Sequence, residues 1–181
     1  MLDIWTTLQG LPAVDPGTIA RAAVLVPLYQ DDAGLVRLVL TKRPEAMRTH
    51  PGDVVFPGGR IERGETPVEA ALREAWEEVA LPEEAVHVLG GLQPVTTRDR
   101  DNWIVPVVAR IDRPAELVPD PREVEVIIEP TLVDLLDESQ WRTSDWMGSQ
   151  LWFYDFPEGT LWGATAFMVR QLLGLVRGRR I

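Results

Sequence analysis

Five carboxylates, Glu65, Glu69, Glu74, Glu77 and Glu78, fall within fourteen residues shortly after the glycine pair Gly58-Gly59. Glu74 and Glu78 are four apart and share one face of a helix, with Glu77 one step around it. Like charges at that spacing repel by about 0.2–0.5 kcal/mol per pair on an exposed helix. A hard divalent cation removes the conflict. Mg2+ and Mn2+ take oxygen ligands, and Mg2+ commonly bridges carboxylates to substrate phosphates. The chemistry implied is metal-assisted handling of a phosphate compound. The bland alternative is a solvated acidic face, the ordinary fate of a charge run on a helix. Only the fixed surroundings of the run weigh against it.

Those surroundings begin with a helix start. Thr66 is a capping residue, Pro67 suits the first turn, and Glu69 completes a capping box. Val68, Ala71, Leu72, Ala75 and Val79 then form one apolar side, and Pro82 stops the helix. Upstream, "AAVLVPLY" (22–29) reads as a buried strand, "DDAG" as a turn and "LVRLVLTKR" (35–43) as the returning arm of a hairpin. An irregular loop leads from there into the short apolar run "VVF". "VHVLGGL", "WIVPVVARI", "EVEVIIE" and "LWFYDF" are further strands. Pro106 predicts an edge or a bulge in the second of these. "PTLVDLLDE" reads as a short helix. A C-terminal helix follows, with Leu161, Ala164, Met168, Leu172 and Leu175 near helical spacing. Strands with few helices predict a mixed α/β or α+β fold, expected as one domain over residues 1–181.

Bulk composition narrows the function. A net charge of -10 argues against a phosphate-backbone binder, so no nucleic-acid partner is expected. No apolar run approaches the roughly 18–20 residues of a membrane span, and the N-terminus shows no signal-peptide pattern. Cysteine is absent, which excludes disulfides, zinc-thiolate sites and thiol nucleophiles. A cytoplasmic location is the expectation.

The glycine-carboxylate run resembles the signature of the Nudix hydrolases, Gly-x5-Glu-x7-Arg-Glu-U-x-Glu-Glu-x-Gly-U with U apolar. Gly59, Glu65, Arg73, Glu74, Glu77, Glu78 and Leu81 match in register, and Ala75 fills the first U. Ala80 stands where the family has glycine. A left-handed helix end there would cost alanine about 1 kcal/mol. The resemblance implies an α/β/α sandwich with a mixed β-sheet between helices. It implies Mg2+ or Mn2+ held by Glu74 and Glu78, with Glu77 and the carbonyl of Gly58 as further ligands. Arg73 and Glu65 would orient the carboxylates. The general base is open between Glu77 and Glu123, the latter in "PREVEV". The implied reaction is attack of water on a nucleoside diphosphate linked to another group. Family members are often dimers, although no segment here marks an interface.

The stretch "VLTKRPEAMRTHPGDVVFPGG" (39–59) further resembles the coenzyme A pyrophosphatase subgroup. Leu40, Thr41, Arg43, Arg48, Gly52 and Phe56 to Gly59 match, while Val39 and Pro44 depart. "AAVLVPL" and "LWGATA" (161–166) also look like that subgroup, but "RDRDNW" replaces its usual Ser-Gly-aromatic turn. The resemblance implies a small nucleotide substrate of the coenzyme A class, cleaved to 3′,5′-ADP and 4′-phosphopantetheine. Arg43 and Arg48 are then candidates for bidentate phosphate contacts, with Arg98 and Arg100 behind them, and His50 reads as a loop hydrogen-bonder. Two alternatives stay open. One is cleavage of another conjugate, such as ADP-ribose, NADH or a nucleoside triphosphate. The other is a Nudix-type module that senses a nucleotide without cleaving it.

Overall fold

The computed structural model describes residues 3–47, 49–96, 102–113, 116–146 and 148–179. Arg48, Arg98 and Arg100 lie outside them. In chain order the elements are α1 (Ile4–Leu8), β1 (Ala22–Gln30), β2 (Val36–Leu38), β3 (Leu40–Lys42), β4 (Val54–Val55), β5 (Gly58–Arg60) and α2 (Pro67–Val79). They continue with β6 (Val86–Gly91), β7 (Val95–Thr96), β8 (Trp103–Ile111), β9 (Val126–Ile128), α3 (Leu132–Leu136), β10 (Trp141–Trp146), β11 (Ser149–Asp155), β12 (Thr160–Leu161) and α4 (Gly163–Val176).

Strand β1 is the axis of the main sheet. It runs parallel to β8 from Ala22 to Leu28. On its other edge β5 pairs with its first residues and β2 with its last, both antiparallel. Strands β6 and β7 pair antiparallel with the far edge of β8. The sheet is therefore mixed, and its side chains alternate between two cores. Ala23, Leu25, Val105, Val107 and Ala109 face α2, whose Ala70, Ala71, Ala75 and Val79 are all buried against them. Val26, Leu28 and Val108 face the opposite way, into a core shared with α1, α3 and α4. This is the expected α/β/α layering. The alanines on α2 let the helix lie close to the sheet, which brings its last turn within reach of the strand ends.

Three local expectations change. Pro106 lies inside β8, opposite Val24 on one side, not at an edge. Its carbonyl accepts from Leu92 N–H at 3.1 Å, so its missing N–H faces the gap where β6 has ended and β7 has not begun. The facing residues there belong to neither β6 nor β7, so the proline interrupts no strand pairing on that side. The returning hairpin arm is two strands. β2 pairs with β1, while β3 pairs with β4 and β9, and Val39 turns the chain from one sheet to the other. Helix α4 starts at Gly163, so Leu161 belongs to β12. Its buried residues are Thr165, Ala166, Met168, Val169, Leu172, Leu173 and Val176, with Leu175 exposed. Among the described residues no helix is long and apolar enough to cross a membrane.

Candidate active site

Helix α2 begins as its sequence dictates. Thr66 Oγ1 accepts from Glu69 N–H at 3.2 Å, and Glu69 Oε2 accepts from Thr66 N–H at 2.8 Å. Its other end carries the unusual feature. Ala80 adopts a left-handed conformation, φ 53°, and Leu81 N–H reaches back to the Ala75 carbonyl at 3.3 Å. The last carbonyls of the helix would otherwise lack donors. The segment 117–124 supplies them, with Val118 N–H on Val79 O at 3.1 Å and Asp120 N–H on Glu78 O at 2.9 Å. Buried Leu117 and Val124 anchor this segment in the α2-side core, and Glu125 N–H donates to Lys42 O at 2.8 Å. The docking presents Glu123 to the helix.

Three carboxylates converge as a result. Glu74, Glu78 and Glu123 each offer an oxygen, and these atoms lie within 4.8 Å of one another. Glu78 is 2% exposed, and Gly58 N–H donates to its Oε2 at 3.3 Å. The glycine pair explains the closeness of the helix and the strand. A Cβ on Gly58 would lie 2.5 Å from the Ala23 carbonyl oxygen of β1, and one on Gly59 would lie 2.5 Å from the Glu74 carboxyl carbon. Of Gly58, it is the N–H that touches a carboxylate of this cluster.

Arg73 binds the outer side of the group. Its Nε donates to Glu65 Oε1 at 2.7 Å, Nη1 to Glu74 Oε1 at 2.9 Å, and Nη2 to the Arg60 carbonyl at 3.0 Å and to Glu65 Oε2 at 3.1 Å. Its pKa is raised, chiefly by the bond to Glu65, and the same bond holds the Glu65 carboxyl below its ordinary range. Glu77 stands apart from the cluster, about half-exposed, with Oε2 3.4 Å from Arg73 Nη1. Burial raises the pKa of Glu74 against the pull of Arg73. Burial first, and then the charge of Glu74, pushes Glu78 to about 8.

Arg43 completes the described side of the site. Its charge acts on Glu78, and its buried Nε has no hydrogen-bond partner. A buried donor left unpaired costs about 1–3 kcal/mol, so this atom fits an acceptor that a ligand would bring. His50 pairs with Asp53, Nδ1 to Oδ2 at 3.1 Å, as a loop hydrogen-bonder does. Sequence reasoning assigned no task to Asp53, and a side chain that acts across the fold leaves no periodic signal.

The NUDIX domain family matches residues 19–159 of the chain. The protein belongs to the Nudix family. An uncharacterized Nudix hydrolase, NudL, of Enterobacter sp. (strain 638) is 36% identical over 84% of this chain and 80% of its own length. The chloroplastic Nudix hydrolase 22 of Arabidopsis thaliana is 35% identical over 81% of this chain, but the match spans only 52% of that longer protein. Among solved structures, a MutT/nudix family protein from Enterococcus faecalis shares the fold, with a TM-score of 0.59 at 19% identity over 95% of this chain and 66% of that one. For this Nudix protein the signature run supplies two of the three converging carboxylates, Glu74 and Glu78, and Glu123 comes from outside it.

Proposed function

We propose that this Nudix hydrolase cleaves the diphosphate bridge of coenzyme A or a derivative of it, releasing 3′,5′-ADP and 4′-phosphopantetheine. The observation that carries the reading is the meeting of Glu74, Glu78 and Glu123 from two distant segments. Their donor set is oxygen alone and brings the buried Glu78 close to two other carboxylates, which suits Mg2+ or Mn2+. Glu74, Glu78 and Glu123 hold the ion, with the Gly58 carbonyl and Glu77 as further ligands. A bound divalent ion supplies neutralisation of the diphosphate and a water of lowered pKa. Arg73, locked by Glu65, fixes the Glu74 rotamer. The proton from the attacking water goes to Glu77 or to Glu123. Water adds to one phosphorus, and the P–O–P bridge breaks with the leaving phosphate departing as the anion. Arg43 offers its guanidinium to a substrate phosphate, and Arg48 is the second candidate that the run 39–59 supplies.

The choice of coenzyme A rests on the run 39–59 and on "LWGATA", and "RDRDNW" is where the chain departs from that subgroup. A panel of coenzyme A, ADP-ribose, NADH and a nucleoside triphosphate, each with Mg2+ or Mn2+, tests it. Coenzyme A should give the highest kcat/KM, with product masses for 3′,5′-ADP and 4′-phosphopantetheine. A higher value for another conjugate moves the substrate. Binding of coenzyme A without product over hours makes the protein a sensor.

A further inference from the structure

The residue that precedes α4 breaks a local rule. The residue before a helix is normally Ser, Thr, Asp or Asn, whose side chain caps the first turn. Here it is Trp162, in an extended conformation and with no capping bond from its side chain. Its indole is engaged elsewhere. Trp162 Nε1 donates to Asp53 Oδ1 at 3.1 Å, across 109 residues of sequence, and its ring lies parallel to Phe153, interplanar angle 4°.

Asp53 is the hub of the loop between β3 and β4. Its carbonyl accepts from Arg43 N–H at 2.9 Å, its own N–H donates to His50 O at 3.3 Å, and its second carboxylate oxygen meets the His50 ring. This loop is held in a costly shape. His50 has φ 52° and Gly52 φ 70°, and a Cβ on Gly52 would lie 2.5 Å from the Glu45 carboxylate. A non-glycine residue in the left-handed region is strained and persists only where its surroundings over-determine it. The Trp162 bond supplies one such constraint from outside the loop. What the loop presents at its base is Arg43, beside Glu78.

We infer that Trp162 is a positioning residue for substrate binding. It anchors Asp53, whose carbonyl holds Arg43 N–H, and so aims Arg43 at the phosphate of the bound conjugate. This rests on the reading of Arg43 as a phosphate contact. Broken rules of this kind are expected where a residue serves the site and not its own element.

Trp162→Phe removes the indole N–H and keeps a ring to stack on Phe153. Kinetics use whichever conjugate of the panel is cleaved best, coenzyme A by expectation, on wild type, Trp162→Phe, Arg43→Ala and the double variant. Trp162→Phe should raise KM at least fivefold with kcat within twofold, and the double variant should bind no worse than Arg43→Ala alone. Hydrogen exchange provides a second measure independent of any substrate. Trp162→Phe should speed exchange across 43–53 and leave α4 as protected as in wild type. A KM within twofold of wild type, or a KM effect that adds in full to that of Arg43→Ala, overturns the inference. Faster exchange in α4 itself would also overturn it, because the bond would then serve the helix. Should Arg43→Ala leave KM unchanged, the phosphate role of Arg43 fails and this inference falls with it. A silent Trp162→Phe beside a defective Arg43→Ala defeats the inference alone.

Discussion

Glu78 sits where a carboxyl group is better neutral than ionised. Burial and the neighbouring Glu74 move it from its ordinary value of 4.5 to about 8. Between those pH values the folded metal-free protein holds a proton that the unfolded chain has released. The unfolded state then binds fewer protons, so stability falls as pH rises from about 4.5 toward about 8 and levels off above. The Tm of protein stripped with a chelator should decline across that window, and Glu78→Gln should flatten the decline. An equal slope in the variant would remove Glu78 as the cause. In metal the same substitution should lower kcat at least a hundredfold with the fold retained, as loss of a ligand to the ion that offsets charge on the reacting phosphate does. Circular dichroism beside the assay separates the two effects. The motif made Glu74 and Glu78 legible from the sequence. Glu123 was legible only as a candidate base, because its meeting with them depends on how the segment 117–124 caps the helix end.

At the scale of the element, the two ends of α2 differ in how well the sequence suits them. Thr66, Pro67 and Glu69 state the start in adjacent residues, and the capping box forms as written. Thr66→Ala should therefore cost about 1 kcal/mol. The far end asks for glycine and has Ala80 in the left-handed region. Ala80→Gly should relieve that strain, less the extra freedom glycine gives the unfolded chain, for a net gain of about 0.5–1 kcal/mol. Urea denaturation measures both, and activity of Ala80→Gly should stay within twofold because no carboxylate moves. Features decided by neighbours in the chain were readable in this way. Features decided by distant partners were not. Pro106 read as a mark of an edge or a bulge because the gap between β6 and β7 cannot be seen in "WIVPVV". The exposed β10 went unseen because Arg142, Thr143, Ser144 and Asp145 give no apolar alternation. Trp162 carries its bond to a residue far upstream, and no spacing announces it.

The whole molecule places the carboxylates at a seam. Glu74 and Glu78 belong to a helix packed on one face of the sheet. Glu123 belongs to a segment that crosses from the end of that helix to β3, through Asp120 at Glu78 O and Glu125 at Lys42 O. An ion shared by the three would join parts of the chain that meet only in the folded state, so it binds the native protein and not the unfolded one. Ligand that binds only the native state stabilises it by about 2.7 kcal/mol at a hundred times its dissociation constant. Mg2+ or Mn2+ should thus raise Tm in a concentration-dependent way, more strongly at pH 8 than at pH 6 because the proton on Glu78 competes with the ion. Glu123→Gln tells a ligand from a base. If Glu123 holds the ion, the variant loses most of the metal-induced rise in Tm, while the backbone bonds of 117–124 keep its metal-free Tm near that of wild type. If Glu123 only receives the proton from water, the metal-induced rise survives in full and kcat alone falls, which leaves Glu74, Glu78 and the Gly58 carbonyl to carry the ion.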